Sequence, residues 1–148
     1  MSDLLNAQAF TSQVQNYCFR LKPDQDLKKE LLGFAQKHQL KAAVILSSAG
    51  SLKKAHIRLS GGKETVEYNG PFEIVSLTGT LSAEGVHLHI SFSDFDGRVR
   101  GGHLMDGSPI FTTAEIILQE NMDLKFSRED DTTTGYKELV IQRRSNLS

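Results

Sequence analysis

The chain predicts an α+β fold: a mostly antiparallel or mixed β-sheet with one main helix packed on it. Three observations carry the prediction. A single stretch, Leu27 to His38, has apolar residues at helical spacing. From Lys41 onward most segments alternate apolar and polar residues or form short apolar runs, as strands do. Glycine, proline, asparagine and aspartate pairs punctuate those segments at the spacing of turns. At 148 residues, the chain suits one domain with a substantial core.

Taken in order, residues 1–15 are of mixed polarity and form an N-terminal arm. Asn16 to Lys22 is a first strand, and Cys18, between Tyr17 and Phe19, is expected as a packed thiol. Pro23 and Asp24 announce the helix, with Asp24 or Asp26 as N-cap. Leu27, Leu31, Phe34 and Ala35 then fall on one apolar stripe. His38 sits at the helix end, where it complements the dipole.

Ala42 to Ser47 is a compact central strand, closed by a small-residue turn at Ser48-Ala49-Gly50-Ser51. Ala55 to Ser60 and Glu64 to Tyr68 form a hairpin around Gly61-Gly62, and His56 is a surface residue of its strand. Asn69-Gly70-Pro71 breaks the chain before a strand from Phe72 to Leu81. Neither glycine cluster precedes a helix N-terminus, so the physics of a phosphate cradle is missing. Ala83-Glu84-Gly85 turns into the strand that carries His87 and His89. Pro109 to Gln119, Met122 to Ser127 and Tyr136 to Gln142 are further strands, Arg128 to Gly135 is a polar loop, and residues 143–148 fray. The main domain therefore spans 16–142.

Composition narrows the function. Seventeen basic residues stand against eighteen acidic ones, so no global charge draws the chain to nucleic acid or anionic lipid. No apolar run approaches the ~20 residues that cross a bilayer. Met1-Ser2-Asp3-Leu4-Leu5-Asn6 lacks the basic start of a secretory signal. Cys18 is the only cysteine, which rules out an internal disulfide and makes the cytoplasm the expected compartment.

The chemistry concentrates on three histidines. Val86, Leu88, Ile90 and Phe92 cover the core side of one strand, so His87 and His89 project together from the other, roughly 7 Å apart along it. Asp94-Phe95-Asp96-Gly97-Arg98 then turns the chain. A three-residue loop Phe95-Asp96-Gly97, with glycine at positive φ, places His103 opposite His89 and Gly102 opposite Ile90. All three imidazoles then converge. A two-residue Asp96-Gly97 loop puts His103 on the other face, unless a bulge at Gly101 or Gly102 restores it. Three imidazoles suit zinc and leave a fourth position open. Asp94 and Asp106 are candidates for orienting an imidazole N–H, against their simpler reading as turn residues.

Several motifs together resemble the PPC domain, the "plants and prokaryotes conserved" family. They are Arg20-Leu21 with Asp26-Leu27, Gly50-Ser51-Leu52, the run from Gly70-Pro71-Phe72-Glu73-Ile74 to Gly79-Thr80, His87-Leu88-His89, Asp96-Gly97, Gly101-Gly102-His103-Leu104 and Thr112-Thr113-Ala114-Glu115-Ile116. The resemblance covers residues 16–142. It departs at Asp24, where the family usually has glycine. It implies a homotrimer and, as in prokaryotic members, zinc held by His87, His89 and His103. Glu73 and Glu115, each in a shared motif, are the carboxylates to weigh as a general base beside the metal, against facing solvent or pairing with Arg20, Arg58 or Arg100. The resemblance also implies two functions: small-molecule hydrolase, lyase or ligand-binding chemistry at the metal, or DNA binding and regulation as in plant members with AT-hooks. The Arg-Gly-Arg-Pro core of an AT-hook is missing here, since Gly97-Arg98-Val99-Arg100 lacks the proline.

Overall fold

Strand β1 (Val14–Leu21) leads into helix α1 (Leu27–Lys37). Of the two cap candidates, Asp26 starts the helix: its backbone is extended and its Oδ1 accepts the Lys29 N–H at 3.1 Å. That satisfies one donor left open by a helix start. Its other carboxylate oxygen accepts the Gly107 and Ser108 N–H groups, tying the helix start to a turn just beyond the histidines. Asp24 has φ 70°, the left-handed region that glycine enters at less cost. Leu27, Leu31 and Ala35 are fully buried, and Phe34 stacks on Phe19 and on His38, both at 4.2 Å between ring centres.

The computed structural model describes residues 7–145. Residues 1–6 of the expected arm and 146–148 of the expected tail lie outside it. The remaining strands are β2 (Ala43–Arg58), β3 (Thr65–Ser82), β4 (Gly85–Ser93), β5 (Val99–Leu104), β6 (Ile110–Asn121), β7 (Leu124–Asp130) and β8 (Lys137–Arg143). Six of them form one sheet in the order β1-β6-β2-β3-β4-β5. A further pairing of β5 with β2, through Ile57–Leu104 and Arg58–His103, closes β2, β3, β4 and β5 into a ring. β7 and β8 pair only with each other among the described residues. These pairings are all antiparallel. One large apolar cluster fills the space between the ring and α1, and a smaller one around Ala42, Leu124 and Phe126 seats the β7–β8 hairpin.

The structure corrects four expectations. Ser48 to Ser51 is no turn, because β2 runs unbroken through it. The small residues let β6 come close: a Cβ on Gly50 would collide with the Thr113 and Ala114 backbone. Asn69-Gly70-Pro71 likewise lies inside β3. There the register shifts between Leu52 and Lys54 of β2, and such an irregularity absorbs a residue that cannot donate to the ladder. Residues 128–130 belong to β7 rather than to a loop, since they pair with Lys137 to Leu139. Cys18 is exposed. Tyr17 and Phe19 turn toward the helix, and alternation sends the thiol to the opposite, uncovered face.

Candidate metal centre

The histidine hairpin closes through Phe95-Asp96-Gly97. Asp94 N–H donates to the Arg98 carbonyl at 3.0 Å, Gly97 N–H donates to the Asp94 carbonyl at 2.9 Å, and Gly97 takes φ 78°. The three-residue loop sets the register without a bulge: His89 faces His103, Ile90 faces Gly102 and Phe92 faces Arg100. Gly102 also has a steric task. A Cβ there would lie 2.7 Å from the Arg58 carbonyl oxygen, so glycine allows β5 to sit between β4 and β2. Behind the histidines, Leu88, Ile90 and Phe92 are buried, with Phe92 packed on Phe72 at 4.8 Å.

The three imidazoles do converge. Their ring centres are 5.0 Å apart for His87–His89, 5.2 Å for His87–His103 and 5.7 Å for His89–His103. One ligating nitrogen from each lies within 4.8 Å of the others. His87 Nε2 and His89 Nε2 are 3.3 Å apart. Two nitrogens bound tetrahedrally at a zinc–nitrogen distance of ~2.05 Å stand about 3.3–3.4 Å apart, so this pair already has the required spacing. His103 Nδ1 is buried without a hydrogen-bond partner among the described residues, a cost unless something else engages the ring.

The surroundings of His87 and His103 favour their neutral form. Burial lowers the pKa of His103 to about 4, with help from Arg58, the other two imidazoles and Lys28. Burial also lowers that of His87, followed by the positive charge of Arg128, His89 and Arg58, against an opposing pull from Glu138. Neutral imidazole is the form that binds a metal.

Neither aspartate reaches the cluster. Asp94 accepts the Asp96 and Arg98 N–H groups and an Arg100 guanidinium nitrogen, which makes it the hairpin's own brace. Asp106 pairs with Lys28 and offers its carbonyl to His56 Nδ1 at 2.6 Å. Glu73 and Glu115 are exposed. Glu73 stands opposite Ser51 and Ser93, and Glu115 opposite Arg20 and Ala49.

The cluster borders a cleft of about 660 Å³ between the strand ring and the β7–β8 hairpin. His87 and His103 line it together with Arg58, Arg128 and Glu138. Arg128 and Glu138 carried no sequence signal: one fell in the supposed polar loop and the other in the last strand, with nothing to aim either at the histidines. Glu84 and Glu138, rather than Glu73 or Glu115, are the carboxylates that line this cleft.

A single-helix antiparallel α+β domain bearing a histidine-only cluster on its strand ring defines the class of protein. Residues 8–122 match the Plants and Prokaryotes Conserved (PCC) domain, and the chain belongs to that family. It is 44% identical over 133 residues to the bifunctional protein GlmU of a Synechococcus strain, covering 90% of this chain and 21% of that protein. The chain thus spans about a fifth of the length of the curated relatives it matches. Among solved structures, it resembles a hypothetical protein from Salmonella cholerae-suis with TM-score 0.90 and 39% identity, over 93% of this chain and 99% of that one. It also resembles a metal-containing protein from Archaeoglobus fulgidus with TM-score 0.74 and 27% identity, over 90% and 99% of the respective chains. No helix among the described residues is long and apolar enough to cross a membrane.

Proposed function

We propose that this protein holds one zinc ion with His87, His89 and His103, and that the cluster serves a small-molecule site in a homotrimer. The observation that carries the reading is the 3.3 Å spacing of the His87 and His89 Nε2 atoms. The unpartnered His103 Nδ1 supports it, as does the metal-containing relative from Archaeoglobus. The trimeric state rests on the family resemblance.

Zinc held by these three imidazoles would supply the Lewis acid for hydrolase or lyase chemistry. The chain's own contribution is preorganisation. β4 and β5 hold the imidazoles in register, with β2 and β3 flanking them on either side. Burial and the neighbouring guanidinium groups keep His87 and His103 unprotonated at neutral pH. Glu138, in the same cleft, is the carboxylate placed to accept a proton from a bound ligand.

Elemental analysis of the purified chain tests the reading directly. Wild type is expected to carry near-stoichiometric zinc and a His87→Ala/His103→Ala variant almost none. Equal, negligible zinc in both overturns it. The solution mass of the same wild-type sample, measured by light scattering, is expected at three chains, and a monomer's mass removes the trimer from the proposal.

A further inference from the structure

Arg58 and Arg128 stand out among the cations beside the cluster because neither is ion-paired among the described residues. Arg58 is half-buried and directly opposite His103 across the β2–β5 pairing. Arg128, also half-buried, reaches in from β7 and donates to Thr80 Oγ1 at 3.0 Å. Thr80 in turn stands opposite His87. The two guanidinium groups therefore approach the histidines from opposite sides, and both line the same cleft.

That arrangement is electrostatically incomplete. Partly buried like charges disfavour one another, and a dication on the imidazoles adds to the excess. The other charged groups lining the cleft change little. Glu84 pairs with Lys125 at 3.6 Å, Lys137 adds a further cation, and Glu138, which accepts the Thr134 hydroxyl at 2.9 Å, is one carboxylate against two guanidinium groups. An anionic ligand offsets part of that excess. The rest of the wall says which kind: Leu81, Val86, Phe126 and Leu139 make one side of the cleft apolar. A guanidinium matches a carboxylate in a planar, two-point contact. A dianionic phosphate gains nothing from the apolar side and meets Glu138.

We propose that this cleft binds a small monocarboxylate with a short apolar tail, its carboxylate taken by Arg58 and Arg128 and its tail laid against Leu81, Val86, Phe126 and Leu139. The proposal deepens the metal-site reading and rests on it for the ligand's position beside the histidines. Half of that wall, Phe126 and Leu139, comes from β7 and β8, which lie beyond the segment matching the family domain.

Saturation-transfer NMR on the full chain tests the idea with three probes: isovalerate, its uncharged analogue isovaleramide, and inorganic phosphate. Zinc content is measured on every sample. Isovalerate is expected to bind saturably, and the amide and phosphate more weakly by about tenfold or more. Arg58→Gln and Arg128→Gln should each weaken isovalerate about tenfold with zinc content unchanged, and Arg128→Lys should recover part of the loss. The Arg128 side chain hydrogen-bonds only to Thr80 among the described residues, so its variants keep the test valid should Arg58→Gln perturb the fold by circular dichroism. Zinc-loaded protein that ignores isovalerate, binds acid and amide alike, prefers phosphate, or loses nothing in the Arg128→Gln variant overturns the proposal and leaves the metal reading intact. Zinc-free wild type overturns the metal reading instead. Arginine-dependent isovalerate binding then supports the carboxylate site alone, and its absence ends that too.

Discussion

The two hairpins that enclose the cleft are built on opposite terms. β4–β5 is held on both flanks, by β3 and by β2, and its inner face is part of the main core. β7–β8 pairs only with itself among the described residues and rests on a small cluster around Ala42, Leu124 and Phe126. Polar anchors add to it: Arg144 donates to Glu120 Oε1 at 2.6 Å, that carboxylate also accepts the Lys41 N–H, and Arg128 donates to Thr80. Two-stranded sheets are marginal on their own. The three clustered imidazoles thus sit on strands held from both sides, while Arg128, Glu138 and half of the cleft's apolar wall sit on a hairpin that pairs only with itself among the described residues.

That contrast can be broken from either side. The largest effect is expected from Phe92→Ala, which empties a fully buried ring site beneath the histidines. It should lower stability by about 3–5 kcal/mol in urea titrations and loosen zinc as well. A loss under about 1 kcal/mol would show that the core beneath β4 is not the support described. Glu120→Gln should cost about 2 kcal/mol, felt locally. Amide exchange should accelerate in β7 and β8 while β4 and β5 stay protected and zinc content holds. Uniform acceleration would mean the two hairpins open as one unit. A third effect is expected from pH on the metal-free chain. An unfolded histidine titrates near 6.5, whereas His103 in the fold stays neutral down to about 4. Between those values the unfolded chain binds a proton that the folded chain refuses, so stability declines as pH falls from 6.5 to 4 and levels off below. Zinc should be released over part of the same range, because protons compete for its ligands. A shallower decline in His103→Gln would assign that part of the effect to this ring, the remainder belonging to His87, whose pKa burial also lowers.

Much of the site was legible because it depends on short-range rules. Alternation in Val86 to Phe92 assigns one face to the core and the other to His87 and His89. The open question was the loop, and the closure of Asp94 on Arg98 with Ser93 opposite Val99 answers it in favour of three residues. The helix and its stripe followed from Leu27, Leu31 and Ala35 for the same reason. Punctuation misled where small or ring-constrained residues serve a close approach rather than a turn. Gly50 admits β6, and Pro71 sits within a strand whose register shift absorbs it. The expected packing of Cys18 failed because an aromatic flank reveals that a strand is half-buried, without revealing which half.

From its residues alone, then, the chain determined the helix, most of the strands and that His87 and His89 share one face, with His103 joining them if the loop has three residues. Side-chain period and turn geometry act within about a dozen residues, and sequence records them directly. Only the tertiary structure decided that β5 closes back on β2, that Arg58 thereby faces His103, and that Arg128 and Glu138 arrive from the C-terminal hairpin. Those pairings join segments some 45 to 70 residues apart, and the energy that selects them comes from burying the whole core at once, which no local pattern encodes.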